Sequence, residues 1–245
     1  MLHWCALHTM PTNKFKDTVM IEGKFEDWGT NDFQTAWEKQ NVLFQAGIRQ
    51  RKTGTDQGFK DSLILCEHPH VFTLGLNAGR ENLLVSDKDM AERGIQCIKT
   101  NRGGNITYHG PGQIVAYPVI DLKKQGFYVK DYIWHLEEVI IRVLADYKIT
   151  GTRLVNAPGV WTDMQAHGKT RKIAAVGVRA SRFITMHGFA LNVNTDMSFF
   201  ELINPCGFTN EAVCSMEEIS GEKQDMDNVK SSIKKHFSDV FGMEF

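Results

Sequence analysis

Residues 158–163, 172–179 and 183–193 read as three strands in succession, with no helical pattern between them. Strands that follow one another without a crossover helix pair antiparallel, so this stretch predicts a meander and excludes a purely parallel, doubly wound sheet. Ser62–Cys66 and Val71–Leu74 read as short buried strands on either side of Glu67-His68-Pro69-His70, and residues 95–99 as another. Gln113–Ile120 is strand-like too, but Pro118 cannot donate to a ladder, which predicts an edge strand or a bulge. Helical periodicity is confined to fewer places. Phe33, Trp37, Gln40 and Phe44 form a stripe over 32–48, and a polar loop, Arg51–Lys60, follows. Val129, Ile133, Leu136, Ile140, Val143 and Tyr147 mark a helix over 130–147, and Val229, Ile233, Phe237 and Phe241 one over 227–241. Ser86 can cap a short helix that stops at Gly94. The expected class is α+β: a mixed, largely antiparallel β-sheet flanked by helices.

No linker or repeat divides the chain. Its 245 residues fit one large domain, expected over 17–245, after a disordered leader at 1–16. That leader holds Lys14 and Lys16 and no acid, a composition that also permits an organelle presequence. No apolar run approaches the ~18 residues of a membrane helix. A formal charge of −1 advertises no nucleic-acid face. The local cluster Lys169, Arg171, Lys172, Arg179 and Arg182 is either a solvated strand end or a landing patch for an acidic partner. Five scattered cysteines with no CxxC pair argue against a disulfide framework or zinc site and for a reducing compartment, the cytoplasm.

Three segments carry chemistry. Arg102-Gly103-Gly104-Asn105-Ile106-Thr107-Tyr108-His109-Gly110-Pro111-Gly112-Gln113 packs four glycines among polar residues. Glycines let backbone approach a ligand, and exposed amides can hold an anion or a developing oxyanion. The Gly-Lys-Ser/Thr ending of a P-loop is absent. Lys172-Ile173-Ala174-Ala175-Val176-Gly177-Val178-Arg179 opens an apolar strand with a lysine, which is either a snorkelling surface residue or a proton-transfer group at a pocket floor. Gly188-Phe189-Ala190-Leu191-Asn192-Val193-Asn194 leads to Asn204-Pro205-Cys206-Gly207. A cysteine between a proline and a glycine sits on a turn that a substrate can approach, and a nearby ammonium would raise its thiolate fraction. Spacing alone does not bring Lys172 to Cys206. His68, His70 and His109 are a weak metal pattern, and structural roles fit them and His187 better.

Taken together, these segments closely resemble the lipoyl(octanoyl) transferase family. Glu67-His68-Pro69-His70-Val71-Phe72-Thr73-Leu74-Gly75 and Ala157-Pro158-Gly159-Val160-Trp161 add to the match, which runs from about residue 61 to 207. The resemblance implies the fold of biotin and lipoate protein ligases. It implies transfer of octanoyl from octanoyl-acyl carrier protein to a lysine of lipoyl domains, those of 2-oxoacid dehydrogenase E2 subunits and the glycine cleavage H protein. It makes Cys206 the acyl-thioester carrier and Lys172 the group that lowers its pKa. It puts substrate contacts on Arg102, Gly103, Gly104, Asn105, Ile106, Thr107, Tyr108 and His109, on Ala175, Val176 and Gly177, and on Gly188, Phe189 and Ala190. No cofactor, ATP or metal is expected. The rival expectations are an ATP-dependent lipoate or biotin ligase, which would not need Cys206, and a non-catalytic scaffold that keeps only the fold. The leader, the Arg51–Lys60 loop and the stretch after Cys214 depart from the family pattern.

Overall fold

The computed structural model describes residues 20–56, 58–162, 170–204 and 213–245. In chain order these form β1 (Ile21–Glu22), β2 (Lys24–Thr30), α1 (Phe33–Thr53), β3 (Ser62–Glu67), β4 (Val71–Leu74), α2 (Asp87–Glu92), β5 (Gln96–Lys99), β6 (Ile106–His109) and β7 (Gln113–Val119). They continue with α3 (Leu122–Gln125), α4 (Val129–Asp146), β8 (Gly151–Leu154), β9 (Ala157–Thr162), β10 (Arg171–Ser181), β11 (Ile184–Asn192), α5 (Met216–Ser220), α6 (Met226–Phe241) and β12 (Met243–Glu244). Short 3₁₀ segments lie at Arg80–Asn82 and Met197–Leu202.

The main sheet has the order β2-β3-β7-β11-β10-β9-β8 and is antiparallel throughout except for the β2–β3 pair at one edge. The expected meander is β9–β10–β11. A second, three-stranded sheet, β5-β4-β6, stands apart, and β1 pairs with β12. Side chains of a strand alternate between its faces, and the central strands exploit this fully. Leu63, Leu65, Ile114, Ala116, Phe189 and Leu191 face α4 and α6. Their neighbours Ile64, Cys66, Val115, Tyr117 and Ala190 join the core under α1. Helices therefore cover both faces of the sheet centre. Among the described residues no helix is long and apolar enough to cross a membrane.

Local signals set the helix ends. Asp32 caps α1 by accepting the Thr35 N–H at 3.0 Å, and Gly54 ends it in the left-handed region, where its N–H reaches Gln50 O. The helix thus runs to Thr53, one turn into the expected Arg51–Lys60 loop. Its buried stripe is Phe33, Ala36, Gln40, Phe44 and Ile48. Ser86 caps α2 as expected.

The expectation for Pro118 requires correction. Strand β7 is neither an edge nor bulged: it lies between β3 and β11, and Pro118 pairs in register with Leu63 of β3. The missing N–H faces β11, where strand pairing stops at Ala116↔Phe189 and returns at Asp121↔Ile184. The Thr185 hydroxyl fills the gap. It donates to Pro118 O at 2.8 Å and accepts the Ile120 N–H at 3.0 Å. A side chain has replaced the ladder bond that proline removes.

Candidate active site

The sheet, the small sheet and the start of α4 enclose a cavity of about 680 Å³. Its walls come from β7 (Val115, Tyr117), from β10 and β11, and from Val129 and Ile133 on the first turns of α4. The glycine loop after β5 forms one side. Gly103 N–H donates to Val178 O at 3.0 Å, while Leu76 N–H and Asn77 N–H donate to Arg102 O and Gly104 O. A Cβ on Gly75 would lie 2.4 Å from Gly104 O, so a glycine at 75 is needed for this seam to close.

Arg102 folds back under the loop. Its Nη2 donates to Thr73 O at 2.6 Å and to Thr73 Oγ1 at 3.0 Å, and its Nη1 to Gly103 O at 3.1 Å. Burial lowers its pKa to about 10, so the group stays a cation. From here a buried chain of hydrogen bonds crosses the site. Thr73 Oγ1 is 3.3 Å from His109 Nε2, and His109 Nδ1 donates to Gln113 Oε1 at 2.7 Å. Gln113 Nε2 donates to Asn192 Oδ1 at 2.8 Å, and Asn192 Nδ2 to Cys214 O at 3.1 Å. Cys214 N–H donates to Lys172 O at 3.0 Å, which ends the chain on the lysine backbone. The His-Gly-Pro-Gly-Gln run and the Leu-Asn-Val-Asn run are thereby parts of one network.

Lys172 stands at the far end of the cavity, at the start of β10. Its Nζ lies 4.3 Å from the centre of the Trp161 ring, its registered partner on β9. A bulge separates Lys172 from Ala174, and Val213 forms a bridge to Lys172 on the other side. Cys206, with Pro205 and Gly207, lies outside the described residues. The described residues on each side of it are both anchored: Asn204 N–H donates to Asn82 O at 2.7 Å and Asn82 Nδ2 donates to Asn204 O at 3.0 Å, while Val213 bridges Lys172.

Of the substrate contacts expected from sequence, Arg102, Gly103, Gly104, Asn105, Ile106, Thr107, His109, Ala175, Val176, Gly177, Gly188, Phe189 and Ala190 line the cavity together with Lys172. Tyr108 does not. Alternation along β6 turns it into the core of the small sheet, where it stacks on Phe199 at 4.9 Å and bonds His70 Nδ1 at 2.7 Å. Sequence reading missed Phe33, Tyr117 and Glu137. Glu137 carried a signal: it follows Val129 and Ile133, which line the cavity, at steps of four, and is itself buried behind that lining. His68 is bonded to Asn31 O at 2.7 Å and to the Tyr117 hydroxyl at 2.6 Å. Among the described residues no three or more His, Cys, Asp or Glu side chains gather as a metal site.

Burial lowers the pKa of both His109 and His187 to about 3. A folded pKa below the unfolded 6.5 means that, between these values, the unfolded chain binds more protons. Stability is therefore complete above about pH 7 and falls as pH falls toward 3, by a few kcal/mol per imidazole in full. Urea midpoints followed by tryptophan fluorescence should be level near neutrality and drop steadily from pH 6 to 4. A level midpoint over that range would contradict the burial assigned to these rings.

A family model described as the lipoyl protein ligase A/B catalytic domain matches residues 32–238. The octanoyltransferase of Parabacteroides distasonis is 45% identical over 218 residues, which is 89% of this chain and 98% of the relative. That of Flavobacterium psychrophilum is 44% identical over 223 residues, 89% of this chain and 96% of the relative. Among solved structures, a bipartite lipoate protein ligase from Thermoplasma acidophilum superposes with a TM-score of 0.69 at 18% identity, over 92% of this chain and 86% of that one. At that identity the likeness concerns the fold, the one expected from sequence.

Proposed function

We propose an activity from one premise: the chain belongs to the family of lipoyl protein ligase A/B catalytic domains. The protein is an octanoyltransferase that moves octanoyl from acyl carrier protein to a lysine of a lipoyl domain. The observation that carries this reading is identity of 40–45% to octanoyltransferases across most of the chain. The ATP-dependent ligase alternative is supported by likeness of fold at 12–18% identity.

The chemistry takes two displacements. Lys172 accepts the Cys206 proton, and the thiolate attacks the carbonyl carbon of the octanoyl thioester. The tetrahedral intermediate collapses, the phosphopantetheine sulfur leaves with a proton from Lys172, and an acyl-enzyme remains. The amine of the acceptor lysine then attacks this thioester, Lys172 takes the proton released from nitrogen, and the Cys206 thiol is restored. An ammonium close to a thiolate lowers the thiol pKa, which is why a lysine suits this position. A thioester becomes an amide, so the reaction runs downhill with no ATP.

The cavity fits the acyl chain. Val115, Ala175, Ala190, Phe33 and Ile133 offer apolar surface, and at ~0.8 kcal/mol per buried CH₂ an octanoyl tail gains roughly 5 kcal/mol. One methylene more or less alters discrimination by only about 1–3 kcal/mol, so preference for chain length is graded. The donor is phosphopantetheine-linked, and the acceptors are lipoyl domains of 2-oxoacid dehydrogenase E2 subunits and the glycine cleavage H protein. The setting is the cytoplasm, in keeping with the free thiols Cys66, Cys97 and Cys214.

Intact-protein mass spectrometry tests the reading. Mixed with octanoyl-acyl carrier protein alone, the enzyme should gain one octanoyl group on Cys206 and lose it when a lipoyl domain is added. Turnover without an adduct, or turnover only from free octanoate and ATP, would replace the transferase with the ligase.

A further inference from the structure

Two adjacent glutamates of α4 have different duties. Glu138, whose side chain is 14% exposed, accepts from Arg142 Nε at 3.0 Å and from Arg153 Nη2 at 2.7 Å. Glu137 turns inward and is 7% exposed. Its Oε1 accepts the Gly159 N–H at 2.9 Å, and its Oε2 lies 3.3 Å from Arg153 Nε.

Gly159 is the floor on which Lys172 rests. It adopts φ +124°, in the region that favours glycine, and a Cβ there would lie 2.5 Å from Ala174 O and 3.5 Å from Lys172 Cε. The lysine stem thus crosses the Gly159 backbone, with the Trp161 ring against its ammonium. Glu137 grips the N–H of the same residue. Burial raises the pKa of the Glu137 carboxyl, and the Gly159 N–H, the Arg153 charge and, least of these, the Lys172 charge act against that rise.

We propose that Glu137 is a positioning residue for the proton-transfer lysine: it fixes the Gly159 backbone beneath the Lys172 stem and supplies the charge that favours the ammonium. The proposal rests on the assignment of Lys172 as proton partner of Cys206. Other groups near the lysine come from each neighbouring element. Arg153 of β8 opposes Glu137 electrostatically. Arg171, next in sequence, pairs with Glu218 of α5 at 3.7 Å. Burial raises the Cys214 thiol to about 11, so it stays neutral. Strand β9 contributes the uncharged Trp161. Among the described residues named here, Glu137 is the buried anion that holds the backbone beneath the lysine.

The test is the pH profile of single-turnover acylation, read by quenched intact mass, for Glu137→Gln and Arg153→Gln. Glutamine keeps an oxygen for the Gly159 N–H and deletes the charge. Removing an anion disfavours both the ammonium and the proton it shares with the thiol, so the Glu137→Gln profile should move to lower pH by about one unit. Arg153→Gln should move it to higher pH. A Glu137→Gln profile that superposes on wild type, while Lys172→Met reduces acylation to a trace, overturns the proposal and leaves the lysine assignment standing. Wild-type acylation in Lys172→Met overturns both. If Glu137→Gln does not fold, Arg153→Gln decides: an upward shift supports the proposal and an unmoved profile overturns it.

Discussion

A Cys206→Ala enzyme should gain no octanoyl group from octanoyl-acyl carrier protein, and octanoyl transfer to a lipoyl domain should fall by roughly 10³-fold or more. The argument is that a ping-pong path has no detour. Without the sulfur, the acceptor amine must attack the carrier thioester directly, with both protein partners docked at one carbonyl. Removing the base from the same step slows it without blocking it, because proton transfer to a positioned group contributes about 10²–10⁴-fold. Lys172→Met should therefore retain a trace of acylation. Methionine keeps an apolar stem to lie across Gly159 and against Trp161, so its loss is chemical rather than structural. Full transfer by Cys206→Ala, measured against a lipoyl-domain acceptor, would remove covalent catalysis from the account.

Much of this architecture was legible because local and long-range preferences agree. The apolar runs of β3, β7 and β11 are buried on both faces, and continuous apolar strands are what a sheet centre between helices requires. The α4 and α6 stripes face the same core, as their three-and-four spacing predicts. What escaped depends on partners distant in sequence. Pro118 reads as an edge because its missing donor is visible, whereas the Thr185 hydroxyl that stands in for the ladder is not. Tyr108 sits within a run of residues that do line the cavity, but the two-residue period of β6 turns its ring toward Phe199. Motif membership locates a segment, and the strand period decides which of its side chains reach the site.

The same logic explains the network beneath the cavity. Gln113 and Asn192 lie far apart in sequence and on neighbouring strands, where register makes them direct partners on β7 and β11. Nothing local marks either as a link between His109 and the Lys172 backbone. Once paired, each satisfies the buried polar groups of the other, which a low-dielectric site demands. A substitution at either position would leave unpaired donors or acceptors behind the reacting groups.

Gly188→Ala should be among the most damaging single methyls at the described glycines. Gly188 lies on β11 directly beyond the last residue pair with β7, Phe189↔Ala116, and an added Cβ would stand 2.2 Å from Ala116 O and 2.6 Å from Pro118 Cδ. Neither neighbour is the free end of a flexible side chain. Ala116 is held in register with Leu65 on one side and Phe189 on the other, and Pro118 with Leu63. Relief therefore requires the two central strands to part, at a cost of about 3 kcal/mol or more, a large share of the 5–15 kcal/mol that holds a typical domain together. Because Gly188 also lines the cavity, the displaced strand would carry Ala190 with it and narrow the acyl slot. Gly103→Ala is the contrast: its Cβ would meet one backbone atom, Val178 O, at 3.3 Å, so a shift of a few tenths of an ångström absorbs it. Urea unfolding should show Gly188→Ala far less stable than both wild type and Gly103→Ala. Equal midpoints for all three would mean that β7 and β11 are not pressed together at this point and that glycine at 188 serves the substrate alone.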